Sequence, residues 1–253
     1  MRRRTAILAA AGLAVPAVAG LTVWALLLRG NGEPVSVAEA VEGFRAEPPA
    51  SGGAVSIEPG VYVYATEGFE EVDALFGSRH DYPSETAITV TAGGCGLMLA
   101  WEPLAERSTT WELCPGVDGW TIAGYRELHT FFGNETRTDY RCEPRSLWWP
   151  ARAAGFAWSR TCSTDGTSET ARGTVLGAET AAGLDEGAVH LSLATTLEGE
   201  ARGTGALELW LLEPSGLPAA IELENDNVND SAIGEVRYTE RVRLTLTSRT
   251  PRR

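Results

Sequence analysis

Across 253 residues the chain sets 34 acidic side chains against 21 basic ones, every one of them arginine, for a formal net charge of −13. Nucleic acid demands a basic footprint, so this balance excludes it as a partner and disfavours electrostatic docking on anionic lipid head groups. The absence of lysine also removes P-loop, Ser-x-x-Lys and Schiff-base chemistry.

Residues 1–5 carry Arg2, Arg3 and Arg4, and from Ala6 to Leu28 no side chain is ionisable. As a helix that run spans about 35 Å, enough to cross a hydrocarbon core of about 30 Å. The arginines resist translocation, so the expectation is a single-pass plasma-membrane protein. Residues 1–5 would form a cytoplasmic tail, 6–28 a transmembrane helix, and all that follows would lie outside the cytoplasm. A signal peptide cut after Ala17-Val18-Ala19 is the alternative, although the apolar run continues beyond it to Leu28.

Residues 29–53 read as a short amphipathic helix and a linker. Ser36-Val37-Ala38-Glu39 is a capping box, and Val37, Val41 and Phe44 follow at helical spacing over 36–45. Glu47-Pro48-Pro49 and Gly52-Gly53 then break regular structure.

A β domain is expected over 54–253. Val61 to Tyr64, Ala87 to Val90, Leu97 to Trp101 and Thr109 to Leu113 are rich in alternating or β-branched residues. So are Val189 to Leu193, Leu207 to Leu211 and Val236 to Leu246, with turn residues every 8–14 positions or so. The fold class is therefore all-β and antiparallel. Ile122 to Phe132 also suits a helix, and Asn225 to Asp230 reads as a polar turn or loop, since its spacing does not match a calcium-binding loop.

Cys95, Cys114, Cys142 and Cys162 form an even set outside any C-x-x-C pair, which favours two disulfides over a zinc or thiol-redox site. The spacings favour 95–114 and 142–162. Strand alternation places Cys95 and Cys114 on opposite faces unless a bulge intervenes. His80, His129 and His190 lie far apart, and packing or surface roles are their default; no metal or cofactor is expected. No catalytic signature is present, so the chain does not read as an enzyme. Trp148-Trp149-Pro150 is the one aromatic pair of interest. It is either a ligand-touching rim or an ordinary cover of the core.

The stretch Leu207 to Pro218, with Trp210 and Pro214-Ser215-Gly216-Leu217-Pro218, together with Gly234 to Tyr238, resembles a hairpin of LolA-like bacterial lipoprotein carriers and their mycobacterial relatives. That resemblance covers about the last 80 residues. It implies a curved sheet or unclosed β-barrel whose concave face holds lipid acyl chains. The whole chain also looks like a set of uncharacterised actinobacterial membrane-anchored proteins, a likeness that implies no activity. Two expectations of function follow. One is a membrane-anchored module for an apolar or amphiphilic, lipid-like ligand. The other is an envelope protein-interaction or structural module with a dry core.

Overall fold

The structure is a computed structural model that describes residues 32–46, 57–73, 77–116, 119–131, 134–147, 153–181, 186–231 and 234–253. Its core is one antiparallel sheet of thirteen strands that follow one another in chain order from β3 to β13, with β1 between β3 and β2. They are β1 (Gly60–Asp73), β2 (Ser78–Asp81), β3 (Glu85–Ala92), β4 (Leu97–Leu104), β5 (Arg107–Gly116), β6 (Gly119–Phe131) and β7 (Asn134–Leu147). Then come β8 (Ala157–Ser163), β9 (Thr167–Thr180), β10 (Gly187–Gly199), β11 (Ala201–Leu212), β12 (Pro218–Ser231) and β13 (Gly234–Leu246).

The sheet closes on itself, which corrects the expected unclosed barrel. Tyr64 to Asp73 of β1 pair with Leu246 to Arg237 of β13. Strand β1 is long enough to face β3 through Gly60–Ala65 and β2 through Phe69–Val72 along its other edge. The interrupted pair β2/β3 therefore counts as one stave of a closed barrel of 12 strands. Gly68 permits the closure: a Cβ there would lie 2.2 Å from the Arg241 carbonyl oxygen, and its φ of 148° suits glycine. Closure removes free edges, whereas an open sheet would have left two.

Helix α1 (Val37–Ala46) lies outside the barrel. Its capping box forms as Ser36 N–H donates to Glu39 Oε2 (2.7 Å) and Glu39 N–H donates to Ser36 Oγ (3.2 Å). Val37 and Val41 pack on Val61, Val63 and Ala87, the outward residues of β1 and β3. Ten residues make too short a helix to hold in water alone, so this contact with the sheet stabilises it.

The single-pass membrane topology is corrected as well. The 6–28 segment and the tail before it lie outside the described residues, and α1 has ten. Among the described residues no helix is long and apolar enough to cross a membrane. Membrane anchorage and a plasma-membrane location are accordingly not carried forward. Nor does the barrel have the surface of a membrane-spanning one. Its outward face on β12 and β13 carries Arg237–Asp226, Arg241–Glu224 and Arg243–Glu222 at 3.3–3.6 Å, and its inside is largely apolar. Charges on a lipid-facing strand cost about 2–4 kcal/mol each near mid-bilayer.

Both disulfides are present, Cys95–Cys114 and Cys142–Cys162. The register of β5 against β6 shifts between Glu112 and Leu113. The extra residue of that shift, Ala123, is on β6; Cys95 itself lies before β4, in the tight turn closed by Gly93 and Gly96, so strand alternation does not fix the face from which it reaches the buried Cys114. Cys142 and Cys162 are directly opposed on β7 and β8.

Candidate functional site

The barrel interior changes character along its axis. At one end, Tyr62, Tyr64, Val90, Leu97, Leu99, Leu113, Leu191, Leu209, Leu211 and Leu246 fill the lumen as a dry plug. Toward the other end the same inward parity delivers polar groups. Inward β5 runs Leu113, Trp111, Thr109, Arg107; inward β13 runs Leu246, Leu244, Val242, Glu240, Tyr238; inward β12 runs Ile221, Leu223, Asn225, Asn227. The expected loop at Asn225–Asp230 is thus corrected to strand. Its apolar alternation ends because its inner face has entered the polar half. Ile122 to Phe131, with its helix-compatible spacing, also lies in strand β6.

Two buried ion pairs organise the polar half. Glu240, with no exposed surface, accepts from Tyr82 Oη (2.6 Å), Asn225 Nδ2 (3.1 Å) and Arg107 Nη2 (3.4 Å). Arg107 also donates to Thr109 Oγ1 at 2.6 Å. Burial is the largest single influence and works against the Arg107 charge, but the Glu240 carboxylate together with Tyr238, Glu127 and Tyr82 outweighs it and holds the guanidinium more firmly protonated than usual. Arg160 forms the second pair, 3.1 Å from Glu169 Oε1, and reaches Cys162 Sγ at 2.6 Å; Tyr125 donates to Glu169 Oε2 at 3.0 Å. Tyr125 stacks on Tyr140 with ring centroids 4.5 Å apart. At the rim, Glu70 meets His80 Nδ1 (3.1 Å) and the Tyr238 hydroxyl (3.4 Å), and burial raises its carboxyl above the usual range.

Between plug and pairs lies a cavity of about 100 Å³. One wall is aliphatic, from Leu197, Leu207, Ile221, Leu223, Val242 and Leu244; the facing wall is aromatic, from Trp101, Trp111, Tyr125 and Tyr140. Arg107, Glu127, Arg160, Glu169, Asn225 and Asn227 place polar groups among them. Glu127 is distinct within this set. It forms no hydrogen bond or ion pair with any described residue, and loss of hydration inside the barrel, partly offset by Arg107, pushes its carboxyl up to about 7. Carboxyls shifted toward neutrality and facing a cavity are what functional sites commonly hold.

None of the described histidines and cysteines singled out from sequence lines this cavity. Trp148 and Trp149 lie outside the described residues. His129 is inside the barrel, edge-on to Tyr238 at 5.3 Å, and burial keeps its imidazole neutral well below its ordinary range. His190 is on the outer face, stacked on Trp210 at 4.2 Å and held between Glu179 (3.1 Å) and Glu208 (2.8 Å). The histidines therefore share no site. Among the described residues the one cluster with metal-ligand character is Cys95, Glu112 and Cys114, and its two sulfurs are joined as a disulfide, so they offer no thiolate. Arg107, Glu127, Arg160, Glu169 and Glu240 were missed. Their signal is a charge at the inward parity of a strand whose other inward residues are apolar, visible at Leu113-Trp111-Thr109-Arg107.

Comparison of the chain with protein-family models, curated proteins and solved structures finds no match.

Proposed function

We propose that the chain is a binding module that takes a small amphiphilic ligand into its barrel. The observation that carries this is the two-walled cavity, aliphatic on β10–β13 and aromatic on β4–β7, with charged groups between. Such a lining buries an apolar body and orients a polar head, as small-molecule sites commonly do. Its size refines the lipid-like expectation. Drug-sized ligands need roughly 300 Å³ or more, so about 100 Å³ admits a compact molecule and not a long acyl chain. The dry plug forms a floor, and the polar end is the side from which a polar head is solvated.

Native mass spectrometry followed by organic extraction tests whether a small molecule travels with the chain. Methyl-resolved NMR with a panel of compact amphiphiles should move Leu207, Leu223 and Val242 together while leaving plug methyls such as Leu211 in place. An apo mass, with no ligand in the panel shifting cavity methyls, would favour an interaction or structural module that has a sealed core.

A further inference from the structure

Charge bookkeeping inside the barrel leaves one group over. Arg107 is matched by Glu240 and Arg160 by Glu169, each within 3.4 Å. Glu127 lines the same cavity and is matched by no described cation. Its oxygens differ from the orphaned Nε atoms of Arg107 and Arg160, which are also without partners but have no accessible surface to offer a ligand. The Trp111, Tyr125 and Tyr140 rings line the same cavity, and the Glu127 carboxylate acts electrostatically on both tyrosines. An unpaired carboxylate beside aromatic walls is the combination that receives organic cations, because the electron-rich ring faces and the carboxylate both favour positive charge. The protein already uses this chemistry at the margin of the site, with the Arg160 guanidinium carbon 5.9 Å from the Tyr125 centroid and Arg107 5.9 Å from that of Trp101.

We propose that the ligand of this cavity carries a compact organic cation, an ammonium or guanidinium head of low bulk, seated against Glu127 between the aromatic and aliphatic walls. The inference rests on the cavity being a ligand site, as argued above. A bare metal ion fits less well. Calcium asks for six to eight oxygen donors, and the walls here are mostly carbon. The chain's net charge of −13 further favours cation entry by long-range attraction.

In the unliganded barrel a proton supplies the missing positive charge, which accords with the carboxyl being held near 7. A cationic ligand replaces that proton, so binding releases it at pH 6 and releases little at pH 8. The groups facing Glu127 in this balance are Arg107 on β5, Tyr125 and His129 on β6, Tyr140 on β7, Arg160 on β8, Glu169 on β9 and Tyr238 and Glu240 on β13. Affinity for the cation therefore rises from pH 6 to pH 8.

The test uses tetramethylammonium and its neutral near-isostere tert-butanol, titrated into the whole chain by methyl-resolved NMR at pH 6 and pH 8. The expected result is that tetramethylammonium binds at the cavity methyls at least about tenfold more tightly than tert-butanol at pH 8. Glu127→Gln should remove that preference and its pH dependence while leaving tert-butanol binding unchanged, and Glu127→Asp should keep the preference. Equal binding of both probes, indifferent to Glu127→Gln, would overturn the cation inference yet leave the cavity a ligand site. Failure of both probes to shift any cavity methyl would overturn both readings.

Discussion

Replacing Glu240 with glutamine keeps the shape of the side chain but removes the charge that Arg107 is paired with, and it leaves one accepting oxygen where the carboxylate offers separate ones to Tyr82 and Asn225. Arg107 has about 2% of its surface exposed, so water cannot take over the missing role. Breaking a buried ion pair from one side costs roughly 3–5 kcal/mol, since the remaining charge stays desolvated. For a domain of this size each kcal/mol moves the melting temperature by about 2–4 °C, so Glu240→Gln should melt roughly 6–20 °C lower. The loss should also depend on pH. Glu240 is one of the charges that keep Glu127 protonated, and Arg107 is the one that favours its ionisation. With Glu240 neutral, Glu127 ionises more easily and becomes a substitute partner. At pH 8 that substitution softens the loss, whereas at pH 5 Glu127 stays protonated and the full cost appears. Urea denaturation of wild type, Glu240→Gln, Arg107→Met and the double variant at both pH values gives the coupling directly, and the double variant should regain most of the loss. A loss under about 1 kcal/mol at pH 5, or one equal at both pH values, would refute the picture of a buried charge trio.

Other outcomes follow from the same interior. Glu127 binds its proton more tightly folded, near pH 7, than unfolded, near 4.5, so its contribution is fully present below about 4.5 and is lost as pH rises through about 7. Wild type should thus lose on the order of 3 kcal/mol relative to Glu127→Gln between pH 4 and pH 8, read as the difference of two urea titrations; parallel curves would refute it. Dithiothreitol should open Cys95–Cys114 before Cys142–Cys162, because Cys95 is exposed and both sulfurs of the second pair are buried; timed alkylation and peptide mapping check the order. Replacing Cys142 and Cys162 with serine together should cost roughly 3 kcal/mol in urea, the chain-entropy figure for a loop of about 20 residues. Gly173→Val should cost about 1–3 kcal/mol by overpacking and change the Trp158 fluorescence, since a Cβ at Gly173 would lie 2.3 Å from the Trp158 ring.

Much of the fold is legible in the chain because antiparallel strands write their burial locally. The pairing of Leu97, Leu99 and Trp101 with Leu113, Trp111 and Thr109 follows from alternation together with the short turn that joins the two strands, and the structure has that register. The capping box at Ser36 and Glu39 is legible for the same reason, since all of its atoms lie within one helical turn. Closure of the barrel is not local. Nothing in Tyr64 to Asp73 announces that its partner is Arg237 to Leu246, more than 160 positions away, because alternation says which face is buried and not which strand is adjacent. A hairpin such as Leu207 to Pro218 fits an open sheet and a closed one equally well, so the unclosed barrel implied by the resemblance is not fixed by the hairpin that carries it, and the pairing of β1 with β13 overturns it.

The site was hidden for a related reason. Sequence reading treats a polar residue in a strand as outward, and that rule holds at His190, Glu208 and Glu222, all of which lie on the outer face. It fails where the lumen itself turns polar. There Arg107 on β5 reaches Glu240 on the non-adjacent strand β13, and Arg160 on β8 pairs with Glu169 on its neighbour β9, so long charged side chains occupy the inner face. Each partner is then an ordinary arginine or glutamate in a chain with 34 acids, and only parity marks it: Glu127 stands two residues from Tyr125 and two from His129 on the inner face of β6. The same parity argument separates Glu127 from the surface carboxylates. Those have water or an arginine ladder beside them, whereas Glu127 has aromatic rings, a cavity and no counter-charge of its own. A buried carboxyl in that position lowers stability above neutral pH, a cost that a barrel without a ligand has no reason to keep. A bound cation would offset that cost and raise the melting temperature most at alkaline pH, so the pH profile of ligand stabilisation, rising from pH 6 to pH 8, is the signature that separates a site from an accident of packing.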